Sequence, residues 1–493
     1  MVTDRATLER RLASFRATLA GDASGRDGGI EPPGPRLPGD LAERLATGLG
    51  GEVVRTDRGA FVRLELESVD LPVDRRRLAG LPGHPPASAP LVCLDTETTG
   101  LGSAAGTYAF LVGLGWWHGE RFRSVLLLLP DQPHEAVLLE AVAALIPVDA
   151  WIVSYNGRGF DWPLLVTRYR MARRAPPLHA GHLDLLPLVR RLFRHRLTDA
   201  RLRTVETDLL EVERHEDVEG WEIPGRYLDF LRTGLTAPLV AVARHNAEDV
   251  RSLARLLVHV EARLGDAGAR RVAPAGDVAG LARLYLRERR LDAALACLED
   301  ALVPRSAAPP VVVPPMTAAR APAGRHMSAD AVDDWWSPHR AADFGGPPAR
   351  PAPAATAAAL GSPWSEERLL VERAHVLRRL GRIGDAAETW ADLAAGTTRL
   401  SAVASVELAK LREHRLGDPV GALEAVRRGW SILERRRRLG RPEPAIEADL
   451  VRRGRRLRIR IAARAGRAGD GPESLRSTTW TSRTSISAAG LRS

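Results

Sequence analysis

The chain has 493 residues, too many for one ordinary core, so two or three folded units are expected. Its 45% hydrophobic content is globular, and no apolar run approaches the roughly 20 residues of a bilayer-crossing helix, which excludes an integral helical membrane protein. The net charge of +10 attracts polyanions, although the basicity is almost all Arg: Lys410 is the single lysine, a bias matching the codon preference of a GC-rich genome. Two cysteines, Cys93 and Cys297, are too few for a disulfide framework or a zinc site, and the charged N-terminal stretch lacks an apolar signal region; a cytoplasmic location without a membrane partner is expected.

In chain order, residues 5–19 read as a short amphipathic helix and 20–38 as a Gly/Pro-rich linker. A helix over Leu41–Leu49 and alternating strands at Glu52-Val-Val-Arg and Ala60-Phe-Val-Arg-Leu-Glu-Leu follow, so 1–85 is taken as an N-terminal helix, linker and small α/β segment. The next unit, 86–263, opens with an apolar strand, Leu91 to Leu94. Two β-like runs, Tyr108 to Trp117 and Phe122 to Leu129, are joined by His118-Gly-Glu as a hairpin. Glu135 to Leu145 has helical spacing, Trp151-Ile-Val-Ser is a buried strand, and helical patterns occupy Phe160–Arg170, Leu188–Arg194, Thr204–Leu210 and Leu239–Leu257. Three strands, a helix, a strand and then helices predict an α/β fold with a mixed sheet.

From about 274 the pattern changes to paired helices, over 274–303 and 363–462. The stretches from Leu281, Arg373 and Leu408 each give an amphipathic helix, a short turn, then Asp and small residues opening a second helix. They resemble tetratricopeptide repeats, an arrangement that implies a protein partner. The Pro/Ala/Gly-rich stretch 304–362 and the tail 465–493 cannot bury enough apolar surface to offset ordering entropy and are read as disordered.

Three acidic elements carry the chemistry. Asp95 and Glu97 end the first strand two residues apart, so both leave the same face. Carboxylates aimed together repel unless a cation lies between them, and hard oxygen ligands suit Mg²⁺ or Mn²⁺. Thr98 begins a turn whose hydroxyls could hold a nucleotide end. In Ser154-Tyr-Asn-Gly-Arg-Gly-Phe-Asp-Trp-Pro, a strand ends in an Asn-Gly turn and Asp161 starts a helix, where an acid is also an ordinary helix-start residue. In Arg244-His-Asn-Ala-Glu-Asp, His245 and Asp249 share one helical face, as a general base beside a metal ligand or as a plain surface pair. Asp184, within His182-Leu-Asp-Leu-Leu, either supports a ligand from behind or begins a helix. Asn156 contacts substrate or organises its own turn, and Arg158 meets phosphate or is a solvated loop side chain. The runs Arg435–Arg438 and 452–460 either follow a nucleic-acid backbone or form a solvated helix face.

In order and spacing, Asp95, Glu97, Asp161 and Asp249 resemble the DEDD (DnaQ-like) 3′–5′ exonuclease superfamily, and more closely its YprB-like, ribonuclease H-like branch. The resemblance spans about 90 to 260 and includes Tyr155-Asn-Gly, Phe160-Asp-Trp-Pro, His182-Leu-Asp-Leu-Leu, Pro224 with Tyr227, and His245-Asn with Asp249-Val. It implies a ribonuclease H-like mixed sheet flanked by helices, two Mg²⁺ or Mn²⁺ ions on the four carboxylates, and His245 as base in hydrolysis at a 3′ end of DNA or RNA. The alternative is a binding or scaffold protein that keeps the fold and cleaves weakly or not at all, against which the complete set of carboxylates argues. The chain departs from the pattern at the base: His precedes the last Asp by five residues in the His-type enzymes, and here by four, the spacing of the Tyr type.

Overall fold

The computed structural model describes residues 40–100, 106–214, 217–303 and 365–468. The expected helix at 5–19, the linkers at 20–38 and 304–362, and the tail beyond 468 lie outside the described residues; the last helix runs on to Ala468, past the 465 where the tail was expected to begin.

The first elements are α1 (Leu41–Leu49), β1 (Glu52–Thr56), β2 (Gly59–Glu65), β3 (Val69–Asp70) and α2 (Arg75–Gly80). Asp40 caps α1 by accepting from the Ala42 amide, and the helix stops at Gly50, whose φ of 71° suits a residue without a Cβ. There follow β4 (Leu91–Thr98), β5 (Ala109–His118), β6 (Arg121–Leu128), α3 (Glu135–Ala144), β7 (Trp151–Ser154), α4 (Asp161–Met171), β8 (Gly181–Asp184), α5 (Leu185–Leu192) and α6 (Leu202–Val205). A π-helical turn, Glu206–Leu210, extends α6. Then come α7 (Ile223–Thr233), the 28-residue α8 (Ala237–Leu264) and α9 (Ala267–Val272).

The strands form a mixed sheet in the order β1-β2-β6-β5-β4-β7-β8, with β3 also on β6. Pairing is antiparallel from β1 to β4 and parallel from β4 through β7 to β8. The hairpin expected at His118-Gly-Glu is present, with His118 paired to Arg121. Three strands differ from the sequence reading. Residues 181–184 form the parallel edge strand, which like β3 is too short to show a period. The 52–65 hairpin, expected in a separate N-terminal segment, extends the sheet by pairing β2 with β6.

Helices cover both faces, which explains why β4 reads as a continuous apolar run rather than an alternating one. Leu91 and Cys93 pack into one buried cluster with Val250, Leu253 and Leu257 of α8, while Val92 and Leu94 pack into another with α1, α3 and α7.

The remaining helices are α10 (Ala275–Arg287), α11 (Leu291–Leu302), α12 (Glu366–Arg379), α13 (Ile383–Ala394), α14 (Arg399–His414), α15 (Pro419–Arg438) and α16 (Pro444–Ala468). Each packs on the next, from α10 to α16. Their apolar residues continue the α8-side cluster, and at the seam Arg196 holds the fully buried Asp277 at 2.8 Å. Among the described residues no helix is long and apolar enough to cross a membrane.

Candidate functional site

The odd-numbered face of β4, buried as Leu91 and Cys93, continues as Asp95 and Glu97 beneath α8. Across the ladder Asp95 pairs with Gly113. A Cβ on Gly113 would stand 2.1 Å from Asn246 Oδ1 and 2.8 Å from Val250 Cγ2, so its absence lets α8 approach the strand. At that distance the fully buried Asn246 donates from Nδ2 to Asp95 Oδ2, at 2.7 Å. The ladder shifts register between Glu97 and Thr98, and Thr98 still pairs with Ala109 beyond the shift.

Asp161 arrives from the other side of β4. β7 ends at Ser154, and the chain turns through Asn156, which adopts a left-handed φ of 67°. Asp184, at the end of β8, fixes that turn: Oδ1 accepts from the Asn156 amide at 2.8 Å and Oδ2 from the Arg158 amide at 3.3 Å. Its Oδ1 also accepts from the Leu186 amide at 3.0 Å, so Asp184 begins α5 as well. The turn delivers Asp161 to the first position of α4, where Oδ1 accepts from Thr96 Oγ1 at 2.5 Å. Thr98 donates its hydroxyl to the Gly100 carbonyl at 2.7 Å, and the Arg158 side chain is exposed on the turn. Asn156 serves its own turn through its backbone.

His245, Asn246 and Asp249 project from α8 toward these acids. His245 Nε2 lies 3.7 Å from Asp249 Oδ2, as the spacing of four predicts, and Nδ1 lies 2.6 Å from Asp217 Oδ1. Arg214 donates to Asp249 Oδ1 and to Glu206 Oε1 and stands 3.4 Å from Asp217 Oδ2. Sequence reasoning missed Glu206, Arg214 and Asp217. Among the many arginines and acids of this chain nothing local distinguishes them from solvated pairs. Asn246 was legible as part of a motif but without a role.

The electrostatics of the cluster are those of crowded acids. Loss of water pushes the Asp95 carboxyl well above the usual range, and the charges of Asp249, Asp161 and Glu97 push it further. Burial pushes Glu97 up to about 8 against the pull of His245, and Asp161 up to about 6 against its bond from Thr96. For His245, burial would lower the pKa, but the carboxylates of Asp249, Glu97 and Asp217 outweigh it and raise it.

Four carboxylates from three elements are the hard-oxygen set that divalent ions of the Mg²⁺ class prefer, and mutual repulsion is the imbalance such an ion would relieve. The donor chemistry therefore fits. The side chains are not closed on a single point, however: among the described residues no three acidic, His or Cys groups form a chelating set. Asp249 already has a cationic partner in Arg214.

Residues 92–261, from the second residue of β4 to near the end of α8, match the RNase_H_2 family model of the RNase_H superfamily. Over 176 residues the chain is 37% identical to "Uncharacterized protein YprB" of Bacillus subtilis (strain 168). That match takes in 35% of this chain and 42% of the relative, so the chain spans about two-fifths of the relative's length. The chain thus carries an RNase_H-superfamily domain, of a superfamily whose members are typically nucleases and generally use divalent metals. The acids of β4, α4 and α8 all lie within it.

Proposed function

We propose that this protein is a metal-dependent 3′–5′ exonuclease acting on DNA or RNA. The observation that carries the reading is that Asp95 and Glu97, Asp161 and Asp249, 154 residues apart at the extremes, are brought so close that the charges of the other three push the Asp95 carboxyl up. Two Mg²⁺ or Mn²⁺ ions on these carboxylates would neutralise the scissile phosphate and acidify an attacking water. The chain's own residues hold the reaction in place. Asn246 orients Asp95, Thr96 orients Asp161, and His245 Nε2 takes the proton as the water oxygen bonds to phosphorus and the bond to the 3′ oxygen breaks. The turn bearing Asn156 and Arg158, steadied by Asp184, and Thr98 at the end of β4 flank the acids on the side proposed to receive the nucleotide. The tetratricopeptide-like helices, α10 to α16, are proposed to bring a protein partner or the substrate.

The test is degradation of 3′- and 5′-labelled single- and double-stranded DNA and RNA, with and without Mn²⁺. Loss from the 3′ end that requires metal and disappears in Asp95→Ala is expected. Undiminished degradation by purified Asp95→Ala would end the assignment. One observation favours a second reading, a nucleic-acid-binding scaffold of weak or no activity: Arg214 already neutralises Asp249. On that reading Mn²⁺ gives no rise in Tm and no cleavage, while labelled nucleic acid is still retained.

A further inference from the structure

We propose that Asp217 is a positioning residue for His245, fixing the imbalance between its two ring nitrogens so that Nδ1 carries the hydrogen and Nε2 faces the acids. The inference rests on the reading of His245 as the base. On α8 the spacing of four brings the ring beside Asp249, with Nε2 at 3.7 Å, but that contact alone leaves the ring able to turn over and present either nitrogen. Asp217 removes the choice. Its Oδ1 lies 2.6 Å from Nδ1, and an ionised carboxylate only accepts, so Nδ1 must donate. Arg214 Nη1 stands 3.3 Å from the same nitrogen and would favour the opposite tautomer. Its contact is the longer, and Arg214 donates to Asp249, Glu206 and Asp217. The shorter, charge-assisted bond decides the tautomer.

Asp217 is itself held in place. Its Oδ1 accepts from the Val218 amide at 3.0 Å, and the Val218 side chain is buried in the apolar cluster that includes Val92 and Leu94. The charged groups facing His245 are Glu97 from β4, Asp249 from its own helix, and Asp217 with Arg214 from the segment after Leu210. Of these Asp217 is the group on Nδ1 that can accept a hydrogen. Asp249 cannot replace it, because it is on the Nε2 side.

The experiment uses the full chain and two readouts. Selective ¹⁵N-histidine NMR on the wild type, metal-free and with Mg²⁺, is expected to show the His245 hydrogen on Nδ1, and an Nε2–H ring in the neutral state would overturn the proposal. In steady-state cleavage of the 3′-labelled substrate, Asp217→Asn should lower kcat about 10–100-fold with KM unchanged. Asp217→Glu should restore part of the loss, and Asp217→Asn should cost nothing further in a His245→Ala background. A wild-type kcat in Asp217→Asn alongside a crippled His245→Ala overturns the positioning role and leaves His245 as base. A wild-type rate in His245→Ala overturns the base assignment, and with it the reason for the inference. The NMR readout does not depend on any variant folding.

Discussion

Replacing Gly113 by Ala adds a single methyl group where the site has no room for it. The new Cβ would lie 2.1 Å from Asn246 Oδ1 and 2.8 Å from Val250 Cγ2, both inside van der Waals contact. Neither neighbour can swing into solvent, because Asn246 and Val250 are both 0% exposed on the inner face of α8. Overpacking of this kind costs about 1–3 kcal/mol, since helix and strand must part by some tenths of an ångström. For a unit of this size that is a fall in Tm of roughly 2–10 °C. The same displacement breaks the Asn246 bond to Asp95, so cleavage should fall by more than the folded fraction does. Differential scanning fluorimetry and a cleavage assay on the same preparation give both numbers. The cause is checked by a double-mutant cycle. Asn246→Ala alone forfeits a hydrogen bond to a charged group, about 1.5–3 kcal/mol, but in the Gly113→Ala background it also relieves the worst overlap. The double variant should therefore be more stable than the sum of the two singles. Strict additivity, or a Gly113→Ala protein with the wild-type Tm, would refute the reasoning that Gly113 exists to admit Asn246.

Further outcomes follow from the charges and the core. Glu97 and Asp161 keep their protons in the folded state up to about pH 8 and about 6, whereas unfolded carboxyls release theirs near 4.5 and 3.8. The folded state thus binds more protons across that window, so their contribution is fully present below it and is lost as pH rises. Metal-free protein should lose Tm between about pH 4.5 and 8 more steeply than Glu97→Gln does, and equal slopes would contradict the crowded-acid description. Adding Mn²⁺ at pH 8 should raise the wild-type Tm and raise that of Asp95→Asn less; an equal rise in both would place the ion elsewhere. Trp390→Ala, deep in the cluster that runs from Cys93 to the C-terminal helices, should cost about 3–5 kcal/mol and still give one melting transition by circular dichroism. Two separated transitions would mean that the helical region and the sheet do not share a core.

Much of this architecture was legible because it is local. The Asp40 cap and Gly50 stop bound α1, alternation marks β2, a continuous apolar run marks β5, and the 3.6-residue period runs through α8; all these signals act within a few residues. The spacing of Asp95, Glu97, Asp161 and Asp249 was legible as well, because motif residues stay at fixed offsets from the strand and helices that carry them. The four-residue edge strand β8 and the pairing of β2 on β6 were not, since a strand so short shows no period and sheet order is set by packing. The surroundings of the acids were likewise hidden. Arg214, Asp217 and Glu206 look like any solvated charges of an arginine-rich chain until α6, its following loop and α8 are folded together. The sequence by itself determined most of the elements that form and which carboxylates they carry. Tertiary structure alone decided what stands behind those carboxylates, because the distance between Asp217 and His245, or between Gly113 and Asn246, is a property of the packed sheet and helix and of no single segment.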